Sequence, residues 1–218
     1  MYDMKNWDKN IQKLYEIYSK LNKDDVSFQK SDCTATEEEI LLAEKRLSVK
    51  IPPSFKECLT GYTKSLDFQA YLPDEFALPH ELSEVFSACF SWSLDILIYS
   101  EERRKEWVKD CFSNTEDEYD KVWHNKLAFM PVPNGDCIAF DLKDTNEDKR
   151  VVYLSHDDGD GHGYILGESF GDYIEKLIAI GAPGNEDWQM LPFINDSTSG
   201  IDPNCKNAKK YRQLIGLI

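Results

Sequence analysis

Between Ala128 and Leu154 two short apolar runs, Cys137-Ile138-Ala139-Phe140 and Val151-Val152-Tyr153-Leu154, are separated by a polar loop from Asp144 to Lys149, and the first follows the turn Pro133-Asn134-Gly135-Asp136. Asn-Gly supplies the positive φ of a tight turn, and β-branched and aromatic residues suit a pleated, half-buried surface. Two strands therefore pair antiparallel here, and this block forms the sheet. The rest of the chain must cover it.

Helical patterns flank the block. Trp7, Ile11, Leu14, Tyr15, Tyr18 and Leu21 recur at helical spacing, which predicts an amphipathic helix from about residue 5 to 22, followed by a polar link. Thr36 stands three residues before Glu39 and ahead of Ile40, Ala43 and Leu47, a capping-box start for a second helix ending near Arg46. Val49-Lys50-Ile51-Pro52-Pro53 breaks it. A short third helix then carries Phe55, Cys58 and Leu59 inward and stops at Gly61, a residue suited to a left-handed cap. On this pattern three helical pieces precede any sheet.

From Ser65 the sequence is extended and aromatic, with Leu66, Phe68, Ala70 and Leu72. From Ser83 to Phe112 the periodicity fits a helix through Leu94, Ile98, Trp107 and Val108, but does not separate helix from strand before Tyr99. Ser169 opens a helix closed by Gly181, and Ala208, Tyr211, Leu214 and Ile215 mark a last one. The expected class is α+β, a mainly antiparallel sheet with helices packed around it. It is read as a single domain over 1–218: an N-terminal helix in 1–30, a core in 35–182 and a C-terminal helical extension in 183–218.

Composition bears on partners. Twenty-five Lys and Arg against 40 Asp and Glu leave a net charge of −15. Such a surface repels polyanions, so neither nucleic acid nor an acidic membrane is an expected partner. The longest apolar stretches, around Ile96–Tyr99 and Leu177–Ile180, are far short of a membrane span. The start Met-Tyr-Asp-Met-Lys-Asn-Trp-Asp-Lys has no signal-peptide pattern, and a cytosolic protein is expected. Six cysteines never approach a Cys-x-x-Cys spacing; Cys58, Cys89 and Cys137 sit in apolar patterns and read as reduced core thiols.

Patterns that carry chemistry are sparse. His156-Asp157-Asp158-Gly159-Asp160-Gly161-His162 resembles a cation loop in composition. Read as a helix-loop-helix calcium loop from Asp158, it has His162 at the fifth position and Ser169 at the twelfth, where oxygen ligands belong. A tight solvated turn accounts for it, and a metal-dependent hydrolase built on the His156–His162 loop is a distant alternative. No Gly-x-Ser-x-Gly or phosphate loop occurs, and no carboxylate pair sits in an apolar setting that would raise a pKa. No cofactor or metal is expected. The acidic runs remain: Glu37-Glu38-Glu39, explained by a helix N-terminus; Glu101, Glu102 and Glu106; Glu116-Asp117-Glu118; and Asp157, Asp158 and Asp160. The middle runs are interleaved with Trp107, Tyr119 and Trp123, the residue types of a protein-binding rim and anchor.

The ordered signals resemble the SUKH superfamily. Thr36 to Ile40, Glu44, Leu47 and Val49-Lys50-Ile51-Pro52-Pro53-Ser54-Phe55 to Leu59 are similar to its opening motif. Asn134-Gly135-Asp136 with Asp141, Val151 to Asp157, and Ser169-Phe170 are similar to its strand-turn-strand and final helix. The tail from Gly200 to Leu217 resembles an extension found in some bacterial members. Ser48 departs from the pattern, where glycine is usual, as does Gly61-Tyr62, where Asn-Gly is common. The resemblance implies a non-enzymatic α+β binding module. Bacterial members are chiefly immunity proteins against polymorphic or contact-dependent toxins, many of them nucleases, and fungal relatives regulate cell-wall synthesis. The expectation is an immunity protein whose acidic face, drawn from Glu101, Glu102, Glu106, Glu116, Asp117, Asp157, Asp158 and Asp160, with Trp107 or Trp123 as anchor, covers a basic toxin domain; a regulatory scaffold is the alternative.

Overall fold

The computed structural model describes residues 2–218. In chain order the elements are α1 (Met4–Leu21), β1 (Val26–Lys30), α2 (Glu37–Leu47), α3 (Pro53–Gly61), β2 (Ser65–Tyr71), β3 (Ser87–Ser93), α4 (Leu94–Asp110), α5 (Asp120–Trp123), β4 (Lys126–Pro131), β5 (Cys137–Asp141), β6 (Val151–Leu154), β7 (Ile165–Gly167), α6 (Phe170–Ile180), α7 (Asp187–Met190) and α8 (Lys206–Ile215). The fold is α+β, as expected. It contains two antiparallel sheets rather than one, ordered β1-β2-β3 and β4-β5-β6-β7.

The first sheet overturns the expectation that three helices precede any strand. β1 lies between α1 and α2, in what the pattern presents as a polar link, and pairs along β2 from Val26↔Ala70 to Lys30↔Leu66. Only Val26 and Phe28 turn toward the core, Phe28 meeting the rings of Tyr15 and Phe68 at 5.8 and 6.4 Å. An edge strand of five residues that buries one side of its pleat shows little hydrophobic signal in sequence. β3 resolves the ambiguous stretch before Tyr99: Ala88, Phe90 and Trp92 alternate inward, and the Ser93 hydroxyl accepts the Ile96 N–H at 3.0 Å to start α4.

The second sheet is buried on both faces. Leu127, Phe129, Ile138, Phe140, Val151 and Tyr153 join the main core, while Ala128, Cys137, Ala139, Val152 and Leu154 face a smaller cluster with Phe112 and Trp123. Two-sided burial is the reason these strands read as continuous apolar runs. In the main core Phe55 of α3 meets Phe129, Phe140 and Phe170 at 5.8, 5.6 and 4.6 Å, and Phe170 meets Trp92 of the first sheet edge-on at 5.7 Å. Buried residues from Trp7 to Ile215 share that core, with the Tyr18 and Tyr211 hydroxyls 2.9 Å apart across it.

α4 braces the two sheets. It leaves β3 directly and lies along β4, whose outer edge would otherwise present unpaired backbone groups. Glu101, buried on α4, accepts the Ala128 N–H at 3.0 Å beside the irregularity between Ala128 and Met130. It also accepts two bonds from Arg104, at 2.8 and 2.7 Å, and Arg104 donates to the Trp123 carbonyl at 2.6 Å. Lys126, also buried, pairs with Asp141 at 2.9 Å. No helix among the described residues is long and apolar enough to cross a membrane.

Helix ends correct the glycine reading. α3 stops at Tyr62 with φ −118°, so Gly61 is not a left-handed cap. Ser48 is: it ends α2 at φ 57°, which accounts for the glycine usual at that place. Gly181 closes α6 at φ 106° as expected. All six cysteines are free; Cys58 and Cys137 are buried and Cys89 half-buried, whereas Cys33 and Cys111 are exposed. Burial pushes the Cys89 and Cys137 thiols up to about 12, which keeps them un-ionised.

Two stability outcomes follow from these contacts. Glu101→Ala strands the Arg104 charge and the Ala128 N–H, and lowers the unfolding free energy by about 3–5 kcal/mol in urea titration; a loss under about 1 kcal/mol would show that the pair does not hold α4. Ser48→Gly removes a left-handed strain of about 1 kcal/mol and raises Tm by about 2–4 °C in calorimetry.

Candidate protein-binding site

The smaller cluster behind the second sheet is closed by three pieces of chain: the last turns of α4, the segment from Phe112 to Trp123, and the loop from Ser155 to Gly163. Tyr119 ties them together. Its hydroxyl donates to the Ser155 carbonyl at 2.7 Å and accepts the Asp158 N–H at 2.9 Å. Its ring stacks on His162 at 3.8 Å, and its carbonyl accepts from His162 Nε2 at 3.0 Å. Asp117 orders the approach by accepting the N–H groups of Tyr119 and Asp120 at 2.9 and 3.1 Å.

The consequence is electrostatic. Glu116 and Asp117 on one loop, and Asp157, Asp158 and Asp160 on the other, are exposed on two loops locked to the same tyrosine. Acids about forty residues apart in sequence thus stand on two loops joined through Tyr119, together called the ridge, with the Lys121–Glu118 pair at 3.1 Å as a nearby cation contact. Along α4 the charge is compensated instead. Glu102 pairs with Arg46 at 2.6 Å and Glu106 with Arg103 at 2.9 Å, so both are exposed but already neutralised.

Two expected contact residues leave the surface. Glu101 is buried at 1% exposure, engaged by Arg104 and the backbone of β4, and cannot touch a partner. Trp123 is fully buried, its ring stacked on Phe112 at 4.7 Å and its N–H donated to the Ser155 carbonyl at 3.1 Å, so it anchors the fold and not a partner. Helical spacing alone could not assign them inward, because what covers Glu101 is the distant strand β4 and what covers Trp123 is a cluster closed by loops. Trp107 is half-buried beside the ridge, donating to the Gly135 carbonyl at 3.2 Å with its ring 5.0 Å from His156.

Beneath the ridge lie two carboxylates outside the expected site, Asp136, read only as part of the Asn-Gly-Asp turn, and Asp187. Asp136, at the end of the Asn-Gly turn and 2% exposed, accepts from the His156 N–H and Nδ1 at 2.7 and 2.6 Å, from the Tyr153 hydroxyl at 2.6 Å and from Asn134 at 2.7 Å. Asp187 of α7 accepts the Gly161 N–H at 2.9 Å and donates its own N–H to the Tyr153 hydroxyl at 3.1 Å. Burial raises the Asp187 carboxyl above its ordinary range, so the adjacent pair Glu186-Asp187 departs from the expectation that no carboxylate pair sits where its pKa would rise. Asp187 explains the glycines of the loop: a Cβ at Gly159 or Gly161 would stand 2.5 or 2.6 Å from it. The available signal was the polar residue directly ahead of the buried strand Cys137–Asp141.

Asp136, His156 and Asp157 bring one potential ligand atom each within 4.8 Å of one another. Both Asp136 oxygens are already taken by protein donors, and His162 stands outside the group. The Ser155 N–H donates to His162 Nδ1 at 3.0 Å, so Nε2 carries the proton given to Tyr119 and neither nitrogen is free to ligate. The two histidines thus do not converge as the hydrolase alternative requires.

His162 makes the ridge sensitive to acid. Burial lowers its pKa below the ordinary value of 6.5, since an imidazolium would be desolvated and its Nδ1 proton would oppose the Ser155 N–H. The stability it contributes is present above the unfolded pKa and lost as pH falls through the folded one. An NMR titration should give a His162 midpoint below 6.5, and the loss of urea stability between about pH 7 and 5 should shrink in His162→Asn. A midpoint above 6.5 would contradict the assigned neutral ring.

No curated protein matches this sequence. The pattern of the SMI1 / KNR4 family (SUKH-1) matches residues 34–176, from the approach to the capping box of α2, through both sheets after β1, into α6. α1, β1, α7 and α8 lie outside that span, as does the tail from Gly200. Covering the greater part of the chain, and the elements that carry the Thr36 capping box, the Asn-Gly-Asp turn and the ridge, the match places this chain in the SMI1 / KNR4 family (SUKH-1).

Proposed function

We propose that this protein is a non-enzymatic, cytosolic immunity protein that binds a cognate polymorphic or contact-dependent bacterial toxin and blocks it, the whole chain 1–218 working as one binding unit. Membership of the SUKH-1 family supports a role in binding protein partners. The observation that carries the reading furthest is the ridge: Tyr119 joins Glu116, Asp117, Asp157, Asp158 and Asp160 into one acidic surface, with half-buried Trp107 beside it.

A surface of that kind suits a cationic target such as the active-site cleft of a nuclease domain. Clustered like charge accelerates encounter by steering, and an aromatic group desolvated at the contact slows dissociation. The compensated carboxylates Glu102 and Glu106 contribute less, because each already has an arginine partner. Nucleic acid and membrane are not partners in this reading.

The test begins with capture from the source cell using this chain as bait, identification of what co-purifies by mass spectrometry, and purification of the captured toxin domain. Reversing Asp117 and Asp158 to Lys should then slow association by about tenfold or more at low salt and flatten its salt dependence, with dissociation little changed. Unchanged association kinetics would defeat the ridge as the steering surface, and the absence of any toxin among the captured proteins would defeat the immunity reading.

A further inference from the structure

The outer face of the first sheet is only partly covered: Gln69 and Tyr71 of β2 are exposed on it. Asp67, Gln69 and Tyr71 of β2 stand opposite Ser91, Cys89 and Ser87 of β3, and these short or polar side chains floor a trough of about 430 Å³. Its walls are Phe86, Tyr99 of α4, the turn from Met130 to Pro133, and Asn185 with Glu186.

Three observations at this trough point the same way. Tyr71, Phe86 and Tyr99 are 49%, 46% and 56% exposed, three large aromatic groups around one concavity in a chain that buries most of its aromatics. The lining carries two carboxylates, Asp67 and Glu186, and no Lys, Arg or His. Asn185, itself 5% exposed, gives its amide N–H to the Pro131 carbonyl at 3.4 Å and leaves Oδ1 without a donor. Aromatic faces, carboxylates and an unfilled acceptor without a competing cation form the complement of a guanidinium, which stacks on rings and offers five donors in one plane.

The walls are built, not incidental. Gln189 Oε1 accepts the N–H groups of Phe86 and Ser87 at 3.0 and 3.1 Å, and Gly184 donates to the Ser87 carbonyl at 2.8 Å, so the segment after α6 fixes one side of the trough. Asn185, Glu186 and Gln189 lie beyond the family-matched span of 34–176, so this one wall of the trough stands outside the shared pattern while its floor lies within it.

We propose that the trough is a second recognition site, which takes an arginine side chain of a partner protein among Tyr71, Phe86 and Tyr99, with Asp67 as its accessible acceptor and the buried Glu186, which already accepts from Gln189, and Asn185 as the acidic and polar wall behind it. This site is distinct from the ridge and holds whether or not the partner is a toxin.

The experiment uses the full chain, labelled for amide NMR, and two blocked pentapeptides, Ac-Gly-Leu-Arg-Leu-Gly-NH2 and its twin with Glu in place of Arg. The arginine peptide should shift the amides of Gln69, Ala88, Cys89 and Asn185, and the glutamate twin should not. Tyr99→Ala and Asp67→Asn, both at solvent-facing positions and checked for folding by circular dichroism, should each weaken binding about fivefold or more, while Asp117→Lys with Asp158→Lys should leave it unchanged. Equal binding of the twins, or affinity indifferent to Tyr99 and Asp67, would overturn the proposal. Shifts confined to residues 116–120 and 156–162 would overturn it too, while leaving the ridge reading intact.

Discussion

The arrangement depends on a buried ion pair that does the work of a missing strand. β4 is the edge of the second sheet, and nothing in that sheet satisfies its outer backbone groups. Glu101 fills the gap by accepting from Ala128, and Arg104 makes that buried carboxylate tolerable by a two-bonded contact. α4 is thereby held against β4 while its first turn remains tied to β3 through Ser93, and the two sheets share a brace. The smaller cluster of Phe112, Trp123, Cys137 and Val152 exists because that brace closes one side of it.

Everything at the acidic ridge is downstream of this. Once α4 is fixed, Trp107 and Trp123 can pack together at 6.4 Å, the segment that follows must fold over Phe112, and Tyr119 arrives where it can bond Ser155 and stack on His162. Beneath, Asp136 and Asp187 hold the other loop from inside through Tyr153, His156 and Gly161. Buried polar groups that are fully paired make a loop rigid, so the charges above them keep their positions. A preorganised charged surface loses less conformational freedom on binding than a mobile one.

The ridge and the trough present different chemistry. The ridge carries exposed carboxylates on two loops, whereas the trough is concave and edged by three exposed aromatic rings. They lie on parts of the chain with different origins in the fold, the ridge on the family-matched core and one wall of the trough on the segment after α6.

Local physics was legible in the sequence. The Thr36–Glu39 capping box, the Pro52-Pro53 break, the Asn134-Gly135 turn, and the helix opened by Ser169 and ended by Gly181 are each written in neighbouring residues, and each stands where the pattern puts it. The α+β class and the net charge of −15 follow from the same short-range information and from counting. Tertiary structure alone decided the rest. β1 is a strand only because β2 offers it a ladder, and the strands form two sheets because α4 intervenes between them. Glu101 and Trp123, read as surface residues from their charged neighbours, are buried for different reasons: Glu101 lies against β4 and Arg104, and Trp123 lies under Phe112 and the Ser155 loop. Asp136 and Asp187, fifty-one positions apart, meet only through Tyr153. Periodicity reports which side of an element is apolar; it cannot report what will cover the other side, and burial of a charge is set by that covering.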